Sequence, residues 1–248
     1  MTVEPNIDAF DFTPGRVLAG KYLVERFLGA GLEGEVYGVV ETSTGVLRAL
    51  KVFYPKENVG NRAVRFYAQK LERLKDCPIL THYHHTEIIR FKGVKVSCMV
   101  SELVNGELLT NFLQRQPGKR LPAFEALHLV YALARGLEQI HLRGEYHGDI
   151  HDENVLIKRH GVRFEVKLVD FYNRGRSSNA RIQKDAYELV KLLYLLIGGS
   201  RHYARQPALI KAICTGMRRD RIAEQFPTAA ALRQFLESHE WEKKPVKK

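Results

Sequence analysis

Five features of the sequence follow one another in an order that suits phosphate chemistry. A glycine-rich stretch, Gly29-Ala-Gly-Leu-Glu-Gly-Glu-Val36, precedes Lys51, which ends an apolar run. Farther along, Asp149 and Asn154 are separated by four residues, and Asp170 ends a second apolar run. Glycine amides can approach phosphate oxygens, a lysine can pair with them, and carboxylate and amide oxygens can bind Mg²⁺. The set predicts a site that binds a nucleoside triphosphate and transfers its terminal phosphoryl group.

The glycine stretch has the pattern Gly-x-Gly-x-x-Gly-x-Val, formed by Gly29, Gly31, Gly34 and Val36. A similar string opens a helix in dinucleotide-binding folds. Here a β-patterned run resumes at Glu35, which favours a hairpin between two strands. The alternative interpretation is an ordinary hairpin turn whose glycines bind no ligand.

The elements that must position these residues fall into two groups. Near the N-terminus, strands are predicted over Tyr22–Leu28, Glu35–Glu41, Leu47–Phe53, Thr86–Phe91 and Val94–Glu102, with one helix over Ala63–Lys75. After Asn105-Gly106 the chain becomes mostly helical, and a long apolar helix is predicted over Ile182–Ile197. We therefore expect an α+β fold with an antiparallel sheet and one helix in an N-lobe, and a mainly helical C-lobe. The expected parts are a loose leader (1–20), the N-lobe (21–104), the C-lobe (105–240) and a basic tail (241–248).

The composition indicates the protein's cellular environment and the charge of its ligands, but it does not indicate a particular function. The 248 residues carry a formal net charge of +11, which predicts attraction to acidic substrates, nucleotides or other polyanions. Nothing beyond this charge points to a nucleic acid. The three cysteines, Cys77, Cys98 and Cys214, are odd in number and far apart, which favours a reducing, cytoplasmic location over a disulfide framework. No apolar run reaches 18 residues, so we expect no membrane span.

The segment His147-Gly-Asp-Ile-His-Asp-Glu-Asn154 is the strongest signal in the chain, and Val169-Asp-Phe171 follows it. With the glycine stretch and Ala49-Leu-Lys51, these segments resemble protein kinases. The start, Pro14-Gly-Arg-Val-Leu-Ala-Gly-Lys-Tyr22, and the later Phe226-Pro-Thr-Ala229 resemble bacterial eukaryotic-like serine/threonine protein kinases. The resemblance implies a bilobal kinase fold, ATP with Mg²⁺ or Mn²⁺, and transfer of the γ-phosphoryl group to hydroxyls of a protein substrate.

The resemblance also implies a role for each residue of the pattern. Asp149 would act as the base toward the attacking hydroxyl, and Asn154 and Asp170 would bind the metal ion. His147 and Asp185 would support the catalytic loop. ATP would lie between the lobes, against the linker Ser101–Gly106. Its expected contacts are Gly29, Gly31, Gly34, Val36, Ala49, Lys51, Glu102 and Leu103.

In this family the lysine at the position of Lys51 binds the α- and β-phosphates and is held by a glutamate on a helix. Glu72 is the only acidic residue in Ala63–Lys75, so we predict it as the ion-pair partner. The apolar stripe of this helix suits a partner nearer its middle, which keeps Gln69 as the alternative.

The chain departs from the family pattern at several positions. Gly148 replaces an arginine that reads a phosphorylated activation loop, and Tyr172 replaces a glycine whose backbone flip inactivates many kinases. Only 15 positions separate Asp170 from Asp185, and no Ala-Pro-Glu stands between them. We therefore expect an enzyme that is active without phosphorylation of this segment.

The short segment also carries basic and hydroxyl side chains. Ser177 and Ser178 are candidate phosphorylation sites because they lie among arginines. Arg174, Arg176, Arg181 and Lys184 are either solvated charges or a dock for an acidic or phosphorylated protein substrate.

Two rival functions follow from the same residues. His151 replaces a lysine common in serine/threonine kinases, and the string His-Gly-Asp-Ile-His also resembles choline and aminoglycoside kinases. A small-molecule kinase is therefore the first alternative. A nucleotide-binding pseudokinase scaffold is the second, favoured by Tyr172 and by the uncertain partner of Lys51.

Overall fold

An antiparallel sheet of six strands and one long helix form the N-terminal part of the computed structural model, which describes residues 7–161, 163–171 and 176–239. The strands are β1 (Val17–Leu18), β2 (Tyr22–Gly31), β3 (Gly34–Glu41), β4 (Leu47–Phe53), β5 (Tyr83–Phe91) and β6 (Val94–Glu102). Their spatial order is β1-β2-β3-β4-β6-β5, and helix α1 (Arg62–Arg73) connects β4 to β5. The chain divides into two units between Asn105 and Gly106.

The two faces of this sheet carry different residues because side chains alternate along each strand. In the register of β3 and β4, Glu35 lies opposite Val52 and Tyr37 lies opposite Leu50. Their face belongs to a buried apolar cluster. The neighbouring pair Val36 and Lys51 lies on the other face. The sheet therefore presents Lys51 on the face opposite that apolar cluster.

The expectation of a loose leader is wrong for residues 7–20. Ile7, Phe10, Phe12 and Leu18 are each less than 5% exposed and belong to the same apolar cluster as the sheet. Phe10 stacks on Tyr54 with ring centroids 5.5 Å apart. The glycines and prolines of this segment mark its turns, while its few apolar side chains supply the burial that holds it.

A buried carboxylate fastens this N-terminal segment to strand β3. Glu35 is 3% exposed and accepts hydrogen bonds from the backbone N–H of Phe10 (2.9 Å), from the Tyr54 hydroxyl (3.1 Å) and from the Tyr37 hydroxyl. Burial, together with the bond to Glu35, raises the pKa of Tyr54 to about 12 and moves the pKa of Tyr37 in the same direction. Both hydroxyls therefore stay protonated at neutral pH and donate to the carboxylate, as a buried charge requires.

The second unit is mainly helical. Its helices are α2 (Leu109–Gln114), α3 (Ala123–Leu142), α4 (Asn179–Leu196), α5 (Ser200–Tyr203), α6 (Ala208–Cys214), α7 (Arg219–Gln225) and α8 (Ala229–Ser238). A small antiparallel sheet in the order β7-β8-β9 accompanies them, formed by β7 (Glu107–Leu108), β8 (Val155–His160) and β9 (Arg163–Leu168). Helix α3 packs against α4 and α8. The α+β fold and the order of its main elements confirm the prediction.

Helix α4 begins at Asn179, three residues before the predicted Ile182. The earlier start places Asp185, which is fully buried, almost two turns into the helix rather than in its first turn. Among the described residues, no helix is both long enough and apolar enough to cross a membrane.

Candidate active site

The glycine stretch forms the hairpin between β2 and β3, as predicted. Gly29 pairs with Val36 and Gly31 pairs with Gly34, which leaves Leu32 and Glu33 as the two turn residues. A Cβ added to Gly34 would overlap the carbonyl oxygen of Val52 and lie 2.9 Å from its carbonyl carbon. A Cβ added to Gly29 or Gly31 would meet nothing within 4 Å. The sheet itself therefore requires a glycine at Gly34, whereas it allows a side chain at the other two positions.

Replacing Gly34 with alanine is expected to lower the free energy of unfolding by about 1–3 kcal/mol, because the added methyl group meets backbone atoms that cannot move aside. Gly29→Ala and Gly31→Ala are the matched controls, and each should change it by less than about 1 kcal/mol. Thermal unfolding of the three variants, followed by circular dichroism, provides the comparison. Equal stability of all three variants would contradict the proposed steric role of Gly34.

Lys51 lies in the middle of the sheet, where β4 pairs with β3 on one side and β6 on the other. Its side chain is only 10% exposed. The ammonium nitrogen Nζ is 3.4 Å from Glu33 Oε2 and 3.4 Å from the Tyr67 hydroxyl, and it lies 4.4 Å from the centre of the Tyr67 ring. The lysine is thus held by a carboxylate of the glycine hairpin and by an aromatic side chain of α1.

The structure does not bring the predicted partner, Glu72, to Lys51. Glu72 lies on an exposed face of α1, where its carboxylate pairs with Lys75 Nζ at 2.9 Å. The alternative, Gln69, is exposed as well. Tyr67 takes the buried position because it belongs to the apolar stripe of α1 with Val64 and Leu71. One helical face cannot present both Tyr67 and Glu72 to the sheet.

Three further expected nucleotide contacts, Ala49, Glu102 and Leu103, lie on β4, at the end of β6 and directly after β6. Ala49 is two residues before Lys51 and shares its face of the sheet. Glu102 ends β6, and its carboxylate accepts a hydrogen bond from the backbone N–H of His82 at 3.2 Å. Leu103 follows it and is half-buried.

In the second unit, the predicted catalytic loop brings Asp149 and Asn154 into direct contact. The side-chain nitrogen Nδ2 of Asn154 donates to the Asp149 carbonyl oxygen at 3.0 Å and to its carboxylate oxygen Oδ2 at 3.1 Å. Asn154 lies in a short 3₁₀ turn, Asp152–Asn154, directly before β8. Since Nδ2 makes these contacts, the amide oxygen of Asn154 is the atom that can bind a cation.

His151 stands beside the same pair. Its ring nitrogen Nε2 lies 3.5 Å from Asp149 Oδ2 and 2.9 Å from Asn154 Nδ2. The other ring nitrogen, Nδ1, accepts from the backbone N–H of Glu153 at 3.3 Å. The imidazole therefore contacts both of the residues to which the sequence assigns chemistry in this loop.

A buried carboxylate fixes the backbone of this loop. Asp185 is fully buried and accepts hydrogen bonds from the backbone N–H groups of His147 at 2.7 Å and Gly148 at 2.6 Å, and His141 Nε2 lies 3.1 Å from it. His147 Nε2 lies 3.1 Å from the carbonyl oxygen of Val169. These contacts join the loop backbone to Asp185 and the His147 ring to Val169.

Asp170 directly follows Val169, the residue that contacts His147. The backbone N–H of Val169 donates to the Asn154 carbonyl oxygen at 3.0 Å, which ties the end of the β9 region to the catalytic loop. Asp170 itself has φ +53°, a left-handed conformation that a non-glycine residue adopts at a cost and that often marks a functional site. Phe171 is buried against the His147 ring, with centroids 4.9 Å apart. Tyr172 lies outside the described residues.

The Asp170 carboxylate and the Asn154 amide supply oxygen atoms of the kind that Mg²⁺ and Mn²⁺ prefer as ligands. Asp170 is half-buried and carboxylate-bearing, and Asn154 offers an amide oxygen. The residues present therefore fit a divalent cation.

Two of the basic side chains beside this loop make contacts within the protein. Lys184 Nζ donates to the Gly148 carbonyl oxygen at 2.7 Å and pairs with Glu188 at 3.0 Å. Arg181 contacts the Tyr146 hydroxyl and stacks on its ring. Arg176 is exposed, and Arg174 lies outside the described residues. Ser177 is half-buried and Ser178 is exposed directly before α4.

Sequence reasoning missed three residues that contact this machinery. Glu33 and Tyr67 contact Lys51, and Glu188 Oε2 accepts from the backbone N–H of Ile150 at 3.0 Å. The burial of Tyr67 could have been predicted, since this residue belongs to the apolar stripe of α1. The contact of Glu33 could not, because a residue in a turn belongs to no periodic pattern that would indicate where its side chain points.

The comparisons with known proteins agree with this geometry. Residues 22–193 match the protein kinase domain family. The chain is 34% identical over 160 residues to the serine/threonine-protein kinase pkn2 of Myxococcus xanthus, an alignment that covers 62% of this chain and 18% of that protein. It is 30% identical over 148 residues to human dual specificity testis-specific protein kinase 1, which covers 58% of this chain and 22% of that protein. The chain thus spans only about a fifth of the length of these two relatives.

Solved structures give the same fold. A crystal structure of a double mutant of the Mycobacterium tuberculosis PknI kinase domain matches with a TM-score of 0.64 at 23% identity, covering 92% of this chain and 98% of that one. A crystal structure of the kinase domain of PF14_0431 matches with a TM-score of 0.62 at 17% identity, covering 77% and 68%.

Proposed function

Because the chain belongs to the protein kinase domain family, we propose that it is an ATP-dependent serine/threonine protein kinase. Members of this family use ATP and a divalent cation. The observation that carries the proposal is the contact between Asn154 and Asp149 in a loop whose backbone is bound by the buried Asp185. This arrangement holds a carboxylate and a metal-binding amide in fixed relation, as phosphoryl transfer requires.

Asp149 is the base in this proposal. Its half-buried carboxylate keeps one oxygen, Oδ2, in contact with Asn154 Nδ2 and the His151 ring, so the other oxygen is the one to accept a hydrogen bond from the acceptor hydroxyl. By orienting that hydroxyl and taking its proton, Asp149 converts it into an attacking group. The hydrogen bonds that the backbone N–H groups of His147 and Gly148 donate to Asp185 fix the loop before the reaction, so no entropy is lost in orienting it at that moment.

Lys51 and the glycine hairpin bind the phosphates. The Lys51 ammonium would pair with the α- and β-phosphate oxygens, while the backbone amides near Gly29 and Gly31 approach them without a side chain in the way. The open space at these two glycines supports this role, because the sheet gives no steric reason for a glycine at either position.

Asn154 and Asp170 would hold Mg²⁺ or Mn²⁺ through the Asn154 amide oxygen and the Asp170 carboxylate. The cation would neutralise charge on the phosphate oxygens. The strand-end link from Val169 to Asn154 keeps the two ligand-bearing segments together, and the left-handed backbone at Asp170 supports a role for which strain is tolerated.

We propose a protein rather than a metabolite as the acceptor, since the similar proteins are named as protein kinases. An acidic or phosphorylated protein substrate has limited support, because Lys184 and Arg181 are engaged within the protein and leave Arg176 as the exposed cation of the described segment. A cytoplasmic location is likewise proposed from the cysteines, all three of which are buried thiols.

Replacing both Ser177 and Ser178 with alanine is expected to leave activity toward a separate protein substrate within about a factor of three. Gly148 has no guanidinium group that could read a phosphate on this segment, whereas a missing charge-stabilising arginine in phosphoryl transfer costs about 10³–10⁵. Initial rates of the double variant and the unmodified protein, measured at saturating ATP, test this. A loss of a hundredfold, reversed in the intact protein by prior phosphorylation, would contradict activity that needs no modification of this segment.

The proposed function is tested by offering the protein three kinds of acceptor with ATP and Mg²⁺. A general protein substrate is expected to gain phosphate on serine or threonine, detected by mass spectrometry. Phosphate appearing only on choline or an aminoglycoside would instead support a small-molecule kinase. Nucleotide binding without phosphate on any acceptor would support a pseudokinase.

A further inference from the structure

The turn of the glycine hairpin places a carboxylate against the phosphate-binding lysine. Glu33 Oε2 lies 3.4 Å from Lys51 Nζ, and the two side chains are 18% and 10% exposed. At this separation and exposure the pair is only weakly screened by solvent. In the proposed function the same ammonium group binds the phosphates of ATP. The Glu33 carboxylate and the phosphates would therefore bind the same cation.

The backbone of Glu33 is fixed while its side chain retains rotatable bonds. The backbone N–H of Tyr54 donates to the Glu33 carbonyl oxygen at 2.9 Å, which ties the hairpin turn to the end of β4. The Glu33 carboxylate can therefore leave Lys51 by side-chain rotation alone, without opening the hairpin. This makes the contact breakable on ligand binding at modest cost.

Lys51 does not depend on Glu33 for its orientation. The Tyr67 hydroxyl lies 3.4 Å from Nζ and the Tyr67 ring centre 4.4 Å from it, so α1 holds the ammonium by a hydrogen bond and a cation–π contact. A carboxylate that left Lys51 would leave these two contacts in place. A carboxylate that stayed would repel the incoming phosphate oxygens.

We infer that Glu33 is a built-in competitor for the anion site at Lys51, which Mg·ATP must displace in order to bind. The inference rests on the proposed function, since it takes the phosphates of ATP as the ligand of Lys51. Binding affinity is reduced by the fraction of molecules in which the site is competent. If the carboxylate occupies Lys51 in about nine molecules of ten, its removal tightens ATP binding about tenfold.

Glu33→Gln is expected to lower the Kd of the Mg²⁺ complex of the β,γ-imido analogue of ATP about tenfold, measured by isothermal titration calorimetry. Adenosine, which has no phosphate, should bind the variant and the unmodified protein equally. Glu33→Ala should behave as Glu33→Gln, and thermal unfolding of each variant verifies that it is folded. Glu72→Gln is the matched control, because it removes a carboxylate from the exposed pair with Lys75 and should change neither Kd.

Unchanged or weaker binding of the ATP analogue by both Glu33 variants would overturn the inference, and weaker binding would assign Glu33 a positioning role instead. An equal gain for the ATP analogue and adenosine would also overturn it, because a competitor for phosphate cannot affect a ligand without phosphate. If the unmodified protein and the variants bind adenosine and the ATP analogue no better than a denatured sample, the proposed function itself fails, and this inference fails with it.

Discussion

Replacing Asp149 with asparagine is expected to lower kcat for phosphate transfer to a protein by about 10³, while the Kd for ATP stays within about twofold. A positioned base contributes about 10²–10⁴ to a rate, and asparagine cannot take the proton of the attacking hydroxyl. Asparagine still offers an oxygen to Asn154 Nδ2, so the loop geometry should be kept. Steady-state kinetics and calorimetric binding of the ATP analogue separate the two effects.

Glu153→Gln is the control for this variant. Glu153 carries a carboxylate in the same loop, but its side chain is 71% exposed and lies outside the contact between Asp149 and Asn154. We expect kcat to remain within about twofold of the unmodified protein. A parallel loss of ATP binding and activity in Asp149→Asn would show that Asp149 holds nucleotide rather than the acceptor, and would refute its role as base.

Asp170→Asn is expected to lower kcat by at least about 10² and to make nucleotide binding much less dependent on Mg²⁺. The neutral amide removes one negative charge from the donor set, so the cation is held less tightly and the phosphate charge is poorly neutralised, an effect of several kcal/mol in the transition state. Titrating the ATP analogue at a series of Mg²⁺ concentrations measures the change directly.

Asp220→Asn serves as the control for charge removal, since Asp220 is exposed on α7 and pairs with Arg218 at 3.1 Å. It should change neither kcat nor the Mg²⁺ dependence. Normal turnover of Asp170→Asn would contradict the assignment of Asp170 as a metal ligand.

The sequence predicted the parts of this structure that depend on local pattern. The hairpin at Gly29–Val36 follows from glycines between two β-patterned runs, and the loop from His147 to Asn154 follows from its spacing between a helix and a strand. Each of these features is decided by residues close together in the chain, so periodicity and turn chemistry are enough to locate them.

Features that depend on contacts between distant residues were not predicted. Phe10 and Phe12 were assigned to a loose leader, and only the structure brings them to Tyr54 and Tyr37, about 25–45 positions away. A short segment with few apolar residues has no period that marks it as part of a core. Its burial depends on packing against one face of the sheet, and the sequence of the segment gives no sign of that contact.

The partner of Lys51 illustrates the same limit within one helix. Glu72 has the right chemistry but the wrong angular position on α1, where it faces Lys75 at the surface. The rotation of α1 is set by its apolar stripe, which buries Tyr67 and Leu71. The residue type of Glu72 therefore suggests an ion pair that its position around the helix excludes, and the carboxylate at Lys51 comes from the hairpin residue Glu33.

The central claim is that the protein transfers the γ-phosphoryl group of ATP to protein hydroxyls. It is tested most directly by incubating the protein with Mg²⁺, a general protein substrate and ATP labelled at either the α- or the γ-phosphate. We predict label on serine or threonine of the substrate from γ-labelled ATP and none from α-labelled ATP, with the signal lost in Asp149→Asn. Absence of γ-label on any protein, or transfer of α-label, would contradict the claim.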